Sequence, residues 1–214
     1  MSQRVRVGVL ISGGGTNLQA LIDAASAADF PAEIAVVVSN REHAGGLQRA
    51  EKAGIPSVWI PHRGKPREVF DAELVRVLKD AGCQWVALAG FMRIVTPVFL
   101  DAFPGRVLNI HPALLPAFPG VHAQKQAYDA GVSTTGATVH LVDAGMDTGP
   151  IIAQGAVARL PDDSLDDLQA RILEVEHRLY PMVLRWAAQG RVQIEAGQLV
   201  VDVPDGESRG LIAP

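Results

Sequence analysis

Cysteine is nearly absent: Cys83 is the only one in 214 residues. It has no partner for an internal disulfide and belongs to no metal-ligand spacing, so it reads as a small buried hydrophobe in a reducing compartment. Aromatic residues make up 5% of the chain. With no run of lysine and arginine beside them, neither a stacking platform nor a basic stripe argues for a nucleic acid partner. No stretch approaches the ~20 apolar residues of a membrane span. The first apolar run, VGVLI, is short and β-branched and gives way to glycines without a small-residue cleavage site, so it is a strand and not a signal peptide. The expectation is a cytoplasmic protein with no membrane contact, monomeric or homodimeric. The acidic net charge of -4, with both signs interspersed, fits that picture.

The apolar content is that of a compact globular enzyme, 48% hydrophobic against 20% charged, and the length suits one domain with a small appendage. Continuous apolar runs at 5–11, 33–39, 57–60, 84–89 and 106–110 alternate with helical patterns at 18–28, 43–53, 68–81 and 97–103. Buried runs alternating with helices predict an α/β fold, a doubly wound and mostly parallel Rossmann-like sheet. Beyond it the sequence predicts a helix over 121–130 and a small mixed β region from strands at 136–142 and 151–158. A long helix from Asp163-Ser164 and a terminal hairpin around 196–198 follow, then a loose tail to Pro214. The single domain divides as 1–110, 111–190 and 191–214. Leu165, Leu168, Ile172, Val175, Leu179, Met182 and Trp186 make the long helix's apolar stripe. Pro181 should kink that helix, because it removes the bond to the carbonyl of His177.

The chain is organised around 106–120, RVLNIHPALLPAFPG. A strand breaks into a proline loop there, and Asn109 and His111, two residues apart, emerge on one face at its carboxyl end. Ligands bind at those ends in open α/β sheets. An uncharged donor beside a group that titrates near neutrality suits a reaction that builds negative charge on oxygen and moves a proton. A second feature is Ser12-Gly13-Gly14-Gly15-Thr16-Asn17, between strand and helix, where free N–H groups and the helix dipole attract anions. A dinucleotide fingerprint fails because Leu18 stands where the third glycine belongs, and a Walker loop fails for want of Gly-Lys-Ser/Thr. A monophosphate cradle remains, and a tight turn without ligand is the alternative. Thr96-Pro97 reads as N-cap and N1 of a helix. Gly90 to Val95 at a strand's carboxyl end could line a pocket or belong to the core. Arg67 opposes the dipole at its helix start, which leaves it either solvated or tasked with something else. His43 and His62 read as solvated, and His122 as facing either the site or solvent. Glu176, at the margin of the stripe, is either reaching water or in use. Asp143 and Asp147 read as turn formers; the EF-hand pattern is not met, and no metal is expected.

Four motifs in order, LISGGGTNLQALID, LAGFMRIV, NIHPALLPAFPG followed by VHA, and DAGMDTGPII, closely resemble the phosphoribosylglycinamide formyltransferases, the folate-dependent enzymes of purine synthesis. The resemblance implies a direct attack by the amine of glycinamide ribonucleotide on the formyl carbon of 10-formyltetrahydrofolate, with Asn109, His111 and Asp147 as the catalytic set. A carboxylate beside an imidazole favours its charged form. It further implies a ribonucleotide site at Gly15, Thr16 and Asn17, with Leu173, Glu174, Val175 and Glu176. It implies a folate site at Arg67, Met92, Arg93, Ile94 and Val95, with Asn109, Asp143, Ala144, Gly145, Met146 and Asp147. Gly14 stands where relatives often carry asparagine. Three rivals share part of this pattern. Methionyl-tRNA formyltransferases need a basic surface and a further RNA-binding domain, which the acidic charge disfavours. Formyltetrahydrofolate deformylases use water and need no phosphate cradle. A non-catalytic folate-binding protein would not need a titrating group at the strand end.

Overall fold

The structure is a computed structural model describing residues 3–212. It divides into two compact units, Met1–Asn109 and Ile110–Pro214.

The first unit alternates β1 (Val5–Ile11), α1 (Thr16–Ala25), β2 (Ala32–Ser39), α2 (Gly45–Lys52), β3 (Ser57–Trp59), α3 (Arg67–Asp80), β4 (Trp85–Leu88) and α4 (Pro97–Ala102), and ends within β5 (Val107–His111). Its strands are all parallel, in the order β5-β4-β1-β2-β3. β1, β2 and β4 are almost wholly buried, as their unbroken apolar runs require. From β1 the chain winds outward through β2 to β3, then returns beside β1 as β4. Right-handed crossovers therefore put α1 and α2 on one face and α3 and α4 on the other. The reversal leaves a crevice at the carboxyl ends of β1 and β4, the place where doubly wound sheets bind ligands.

The second unit contains α5 (Ala123–Asp129), β6 (Thr134–Leu141), β7 (Ile151–Ala158), α6 (Leu165–Ala188), β8 (Val192–Glu195), β9 (Gln198–Val201) and β10 (Gly210–Ile212). β6 and β7 pair antiparallel, β7 and β10 parallel, giving the expected mixed region. α6 lies on β6 and β7. Gly155 allows the approach: a Cβ there would sit 2.2 Å from Val175 Cγ1. Of the predicted α6 stripe Leu168, Ile172, Val175, Leu179 and Trp186 are buried, the aliphatic ones each worth about 1.5–3 kcal/mol, while Leu165 and Met182 are half-buried and Val183 takes the buried place instead. β8 and β9 join through Ala196 and Gly197, both at positive φ, the geometry that a two-residue hairpin turn needs.

Pro181 lies inside α6, which is assigned as one helix from Leu165 to Ala188. Two expectations change. The tail is not loose at 207–212: Glu207 accepts from Trp186 Nε1 at 2.6 Å, Arg209 donates to the carbonyls of Ile151 and Ile152, and β10 pairs with β7. The last two residues, which the loose-tail reading also covered, lie outside the described residues. Thr96 does precede α4, but its hydroxyl makes no cap. The buried carboxylate of Asp71 instead accepts the Thr96 N–H at 2.6 Å.

α6 starts as the sequence predicts. Ser164 accepts the Asp167 N–H, Asp167 accepts the Ser164 N–H at 2.9 Å, and Arg171 grips Asp163 through two bonds at 2.7 and 2.9 Å. Replacing Ser164 with Ala should lower unfolding free energy by about 1 kcal/mol. That would appear as a lower denaturant midpoint at constant slope; an unmoved midpoint would show that the capping box contributes nothing.

Candidate active site

His111 ends β5, 4% exposed. Its Nε2 lies 2.8 Å from the carbonyl of Phe118 and its Nδ1 lies 3.3 Å from Asp147 Oδ2. The same Oδ2 accepts the Gly120 N–H at 2.8 Å, and Oδ1 lies 3.7 Å from His140 Nε2. His140 is equally buried, and its Nδ1 meets the Leu141 carbonyl at 2.8 Å, so Nδ1 carries the proton. One carboxylate thus stands between two imidazoles and a loop amide. Both nitrogens of His111 face oxygens that can only accept, so a ring with a proton on each nitrogen satisfies both. Sequence reasoning picked out His111 and Asp147 and missed His140.

Strain marks the same place. Phe118, His122 and Asp147 hold φ of 54°, 59° and 57°, where a side chain costs on the order of 1 kcal/mol or more. The loop carrying Phe118 is held from below. Thr138 Oγ1 donates to the Ala113 carbonyl at 2.7 Å and accepts from the Leu115 N–H, while Gln154 donates to the Leu115 carbonyl at 2.8 Å. His122 itself is exposed and forms the N-cap position of α5.

Burial raises the pKa of the Asp147 carboxyl, but His140, the Gly120 N–H and the charge of His111 together outweigh it, so the group sits below its ordinary 3.8. The neighbouring loop keeps its shape through Asp143, whose Oδ1 accepts from the Gly145 N–H at 3.0 Å and Thr148 Oγ1 at 2.7 Å. Ala144, Gly145 and Met146 are exposed. On α6, Glu176 is buried beside Val175, while Leu173 is half-buried and Glu174 exposed.

In the first unit the glycine turn is packed backbone against backbone. Gly15 holds φ 73°, and a Cβ on it would lie 2.7 Å from Gly46 Cα. The Gly13 carbonyl accepts the Gly46 N–H at 3.1 Å and the Gly14 carbonyl accepts Arg49 Nε at 2.8 Å. With these carbonyls turned toward α2, the open tip at Gly13, Gly14 and Thr16 offers N–H groups at the start of α1. Asn17 is half-buried in the first turn of that helix.

After β4, residues 90–96 are fixed at successive points. The Met92 N–H donates to Ser12 Oγ at 2.9 Å, and the Arg93 guanidinium lies 4.9 Å over the Phe70 ring. Arg67 donates to the Ile94 carbonyl at 2.8 Å, and Asp71 takes Thr96. Arg67 therefore braces the very loop with which the sequence grouped it. Met92 and Ile94 project, 59% and 45% exposed, while Phe91 and Val95 are core. Exposure thus varies residue by residue along this loop. His43 is exposed as expected, but His62 is not simply solvated: it is half-buried with Nδ1 2.9 Å from the Asn40 carbonyl. Among the described residues no cluster of three or more His, Cys, Asp or Glu could hold a metal, and no helix is long and apolar enough to cross a membrane.

A family model described as formyl transferase matches residues 5–184. The phosphoribosylglycinamide formyltransferase of Escherichia coli is 42% identical over 195 residues, covering 91% of this chain and 92% of that protein. The trifunctional purine biosynthetic protein adenosine-3 of Drosophila pseudoobscura pseudoobscura is 53% identical over 193 residues, 89% of this chain, but this chain spans only 14% of its length. A solved structure of glycinamide ribonucleotide transformylase 1 from Symbiobacterium toebii matches with a TM-score of 0.90 at 48% identity, over 94% of this chain and 95% of that one.

The lowered carboxyl of Asp147 has a signed consequence. Between pH about 4 and its own pKa the unfolded chain binds the proton first, so stability rises with pH in that window and is lost as pH falls through it. Asp147→Asn should therefore show a shallower acid loss of stability than the wild type below pH 4. Parallel curves in acid titrations of the denaturation midpoint would show that Asp147 gains nothing from its neighbours.

Proposed function

Because this chain belongs to the formyl transferase family and matches phosphoribosylglycinamide formyltransferases over nearly their full length, we propose that it moves the formyl group of 10-formyltetrahydrofolate onto the amine of glycinamide ribonucleotide. The products are formylglycinamide ribonucleotide and tetrahydrofolate, a step of purine synthesis. The observation that carries the reading is the buried His111–Asp147 pair at the end of β5, two residues beyond Asn109.

The amine nitrogen attacks the formyl carbon, a C–N bond forms, and the carbonyl oxygen becomes an oxyanion. The Asn109 amide donates to that oxygen. Asp147 holds Nδ1 of His111, so Nε2 is the nitrogen that turns toward the oxyanion, exchanging the Phe118 carbonyl for it. Phe118 sits at a strained φ on a loop, a carbonyl more easily moved than one in a sheet. The attacking amine loses a proton and the folate nitrogen gains one; the oxyanion then collapses to a carbonyl as the bond to the folate nitrogen breaks, and tetrahydrofolate departs. Donors aimed at the developing charge are commonly worth 10² or more in rate.

Gly15, Thr16 and Asn17 at the start of α1 receive the phosphate, and Glu176 with its turn neighbours Leu173, Glu174 and Val175 receives the rest of the ribonucleotide. Met92, Arg93, Ile94 and Val95, braced by Arg67, offer apolar side chains and main-chain groups to the pterin. Asp143, Ala144, Gly145 and Met146 serve the same ligand in the second unit. No metal takes part in this scheme, and we place the enzyme in the cytoplasm.

A folate absorbance assay with and without glycinamide ribonucleotide tests the reading. Turnover is expected only with the ribonucleotide. Turnover with water alone would make the protein a deformylase, and folate binding without turnover would leave it a binding protein. His111→Ala should lower kcat by about 10²- to 10⁴-fold with little change in folate affinity; an unchanged kcat would remove His111 from the mechanism.

A further inference from the structure

Ser12 is 4% exposed at the point where β1 becomes the glycine turn. It makes three hydrogen bonds. Its N–H donates to the Gly90 carbonyl at 3.0 Å, its Oγ accepts the Met92 N–H at 2.9 Å, and its hydroxyl donates to Asn40 Oδ1 at 2.7 Å. The directions are fixed by chemistry. The Met92 amide can only donate, so the single hydroxyl proton goes to Asn40. Asn40, 4% exposed, is held in turn through its main-chain carbonyl by His62 Nδ1 at 2.9 Å. The remaining ties of the 90–96 loop, from Arg67, Phe70 and Asp71, all come from α3. Ser12 supplies the side-chain link from that loop to the glycine turn, across the crevice where the winding reverses.

We propose that Ser12 is a positioning residue that couples the glycine turn to the 90–95 loop, so that a phosphate seated on the turn sets the Met92 amide and its neighbours for the folate. This rests on the proposed function. Gly13 directly follows Ser12, and any settling of the turn around an anion moves Oγ and, through one bond, the main chain at Met92. The bond from the Ser12 hydroxyl to Asn40 is buried and the bond from the Met92 N–H partly so, and hydrogen bonds shielded from water transmit position because water is a poor substitute for either partner.

The test compares the wild type with Ser12→Ala, Asn40→Asp and Asn40→Leu. Folate dissociation constants are measured by calorimetry with a non-reactive 10-formyl folate analogue, with and without saturating glycinamide ribonucleotide, beside steady-state kinetics. In the wild type the ribonucleotide should tighten the folate analogue about 5-fold or more, the lower range of measured couplings between sites. Ser12→Ala should bring that ratio to near 1 and raise the folate KM with kcat little changed, the pattern of lost positioning and not of lost chemistry. Asn40→Asp keeps an acceptor for the hydroxyl and should retain the coupling; Asn40→Leu should lose it. A purely structural role would lower thermal stability and leave the ratio where it was, which overturns the proposal. So does a wild-type ratio of 1. Should Ser12→Ala fail to fold, the two Asn40 variants decide by the same ratio. A wild type that binds the folate analogue but shows no turnover with the ribonucleotide would refute the functional reading itself, separately from these ratios.

Discussion

The Asp147 carboxylate has two imidazoles and a loop amide around it and meets them from a left-handed φ of 57°. From that conformation Oδ2 reaches both His111 and the Gly120 amide, and Oδ1 faces His140. The consequences spread outward. Gly120 ends the proline loop, so the Asp147 bond fixes the far side of the segment whose near side is His111. Within that segment Phe118 is turned so that its carbonyl meets His111 Nε2. Thr138 and Gln154 hold the loop from the sheet beneath. The His111 imidazole is therefore held on both nitrogens by groups of the second unit, and in the proposed reaction only the contact with the Phe118 carbonyl has to be exchanged.

The first unit obeys a different constraint, that of close main-chain approach. Gly15 meets Gly46 with no room for a side chain between them, a Cβ on Gly46 would run into Ile11, and Gly45 packs at ordinary contact distance on Gly14. This brings α2 against the start of α1, and Arg49 closes the contact. Main-chain N–H groups at a helix start favour an anion, and this turn borders the loop after β4 because the winding reverses beside β1. The doubly wound sheet thus sets a glycine turn and an apolar loop side by side, with Ser12 at the junction.

Most of the fold was legible because burial on both faces of a parallel strand leaves a nearly continuous apolar run, as in Val5–Ile11, and because Asp163-Ser164 marks a helix start. The terminal strand Gly210–Ile212 was not: three residues have no period, and their pairing is decided by β7, more than fifty positions earlier. Nothing in the pattern of α3 singles out Asp71, and only tertiary structure reveals that its carboxylate accepts the N–H of Thr96, whose own hydroxyl makes no cap. In the site, Asn109, His111 and Asp147 announced themselves through the strand-to-loop break and the family motifs. His140 did not. It lies in a strand whose residues from Thr135 to Leu141 are all buried, so alternation says nothing about which side carries function, and its partner Asp147 is reached only through the turn into β7. His62 was misread for a similar reason: a histidine in a polar loop looks solvated until the Asn40 carbonyl is found beside it.

The central claim is that Asp147 governs the protonation and orientation of His111 during formyl transfer. The most direct measurement is the pH dependence of kcat for the wild type and Asp147→Asn, with both substrates saturating. If the carboxylate governs the imidazole, the acid limb of the variant must change in position and shape along with its loss of rate. An acid limb that superimposes on the wild type's would contradict the account.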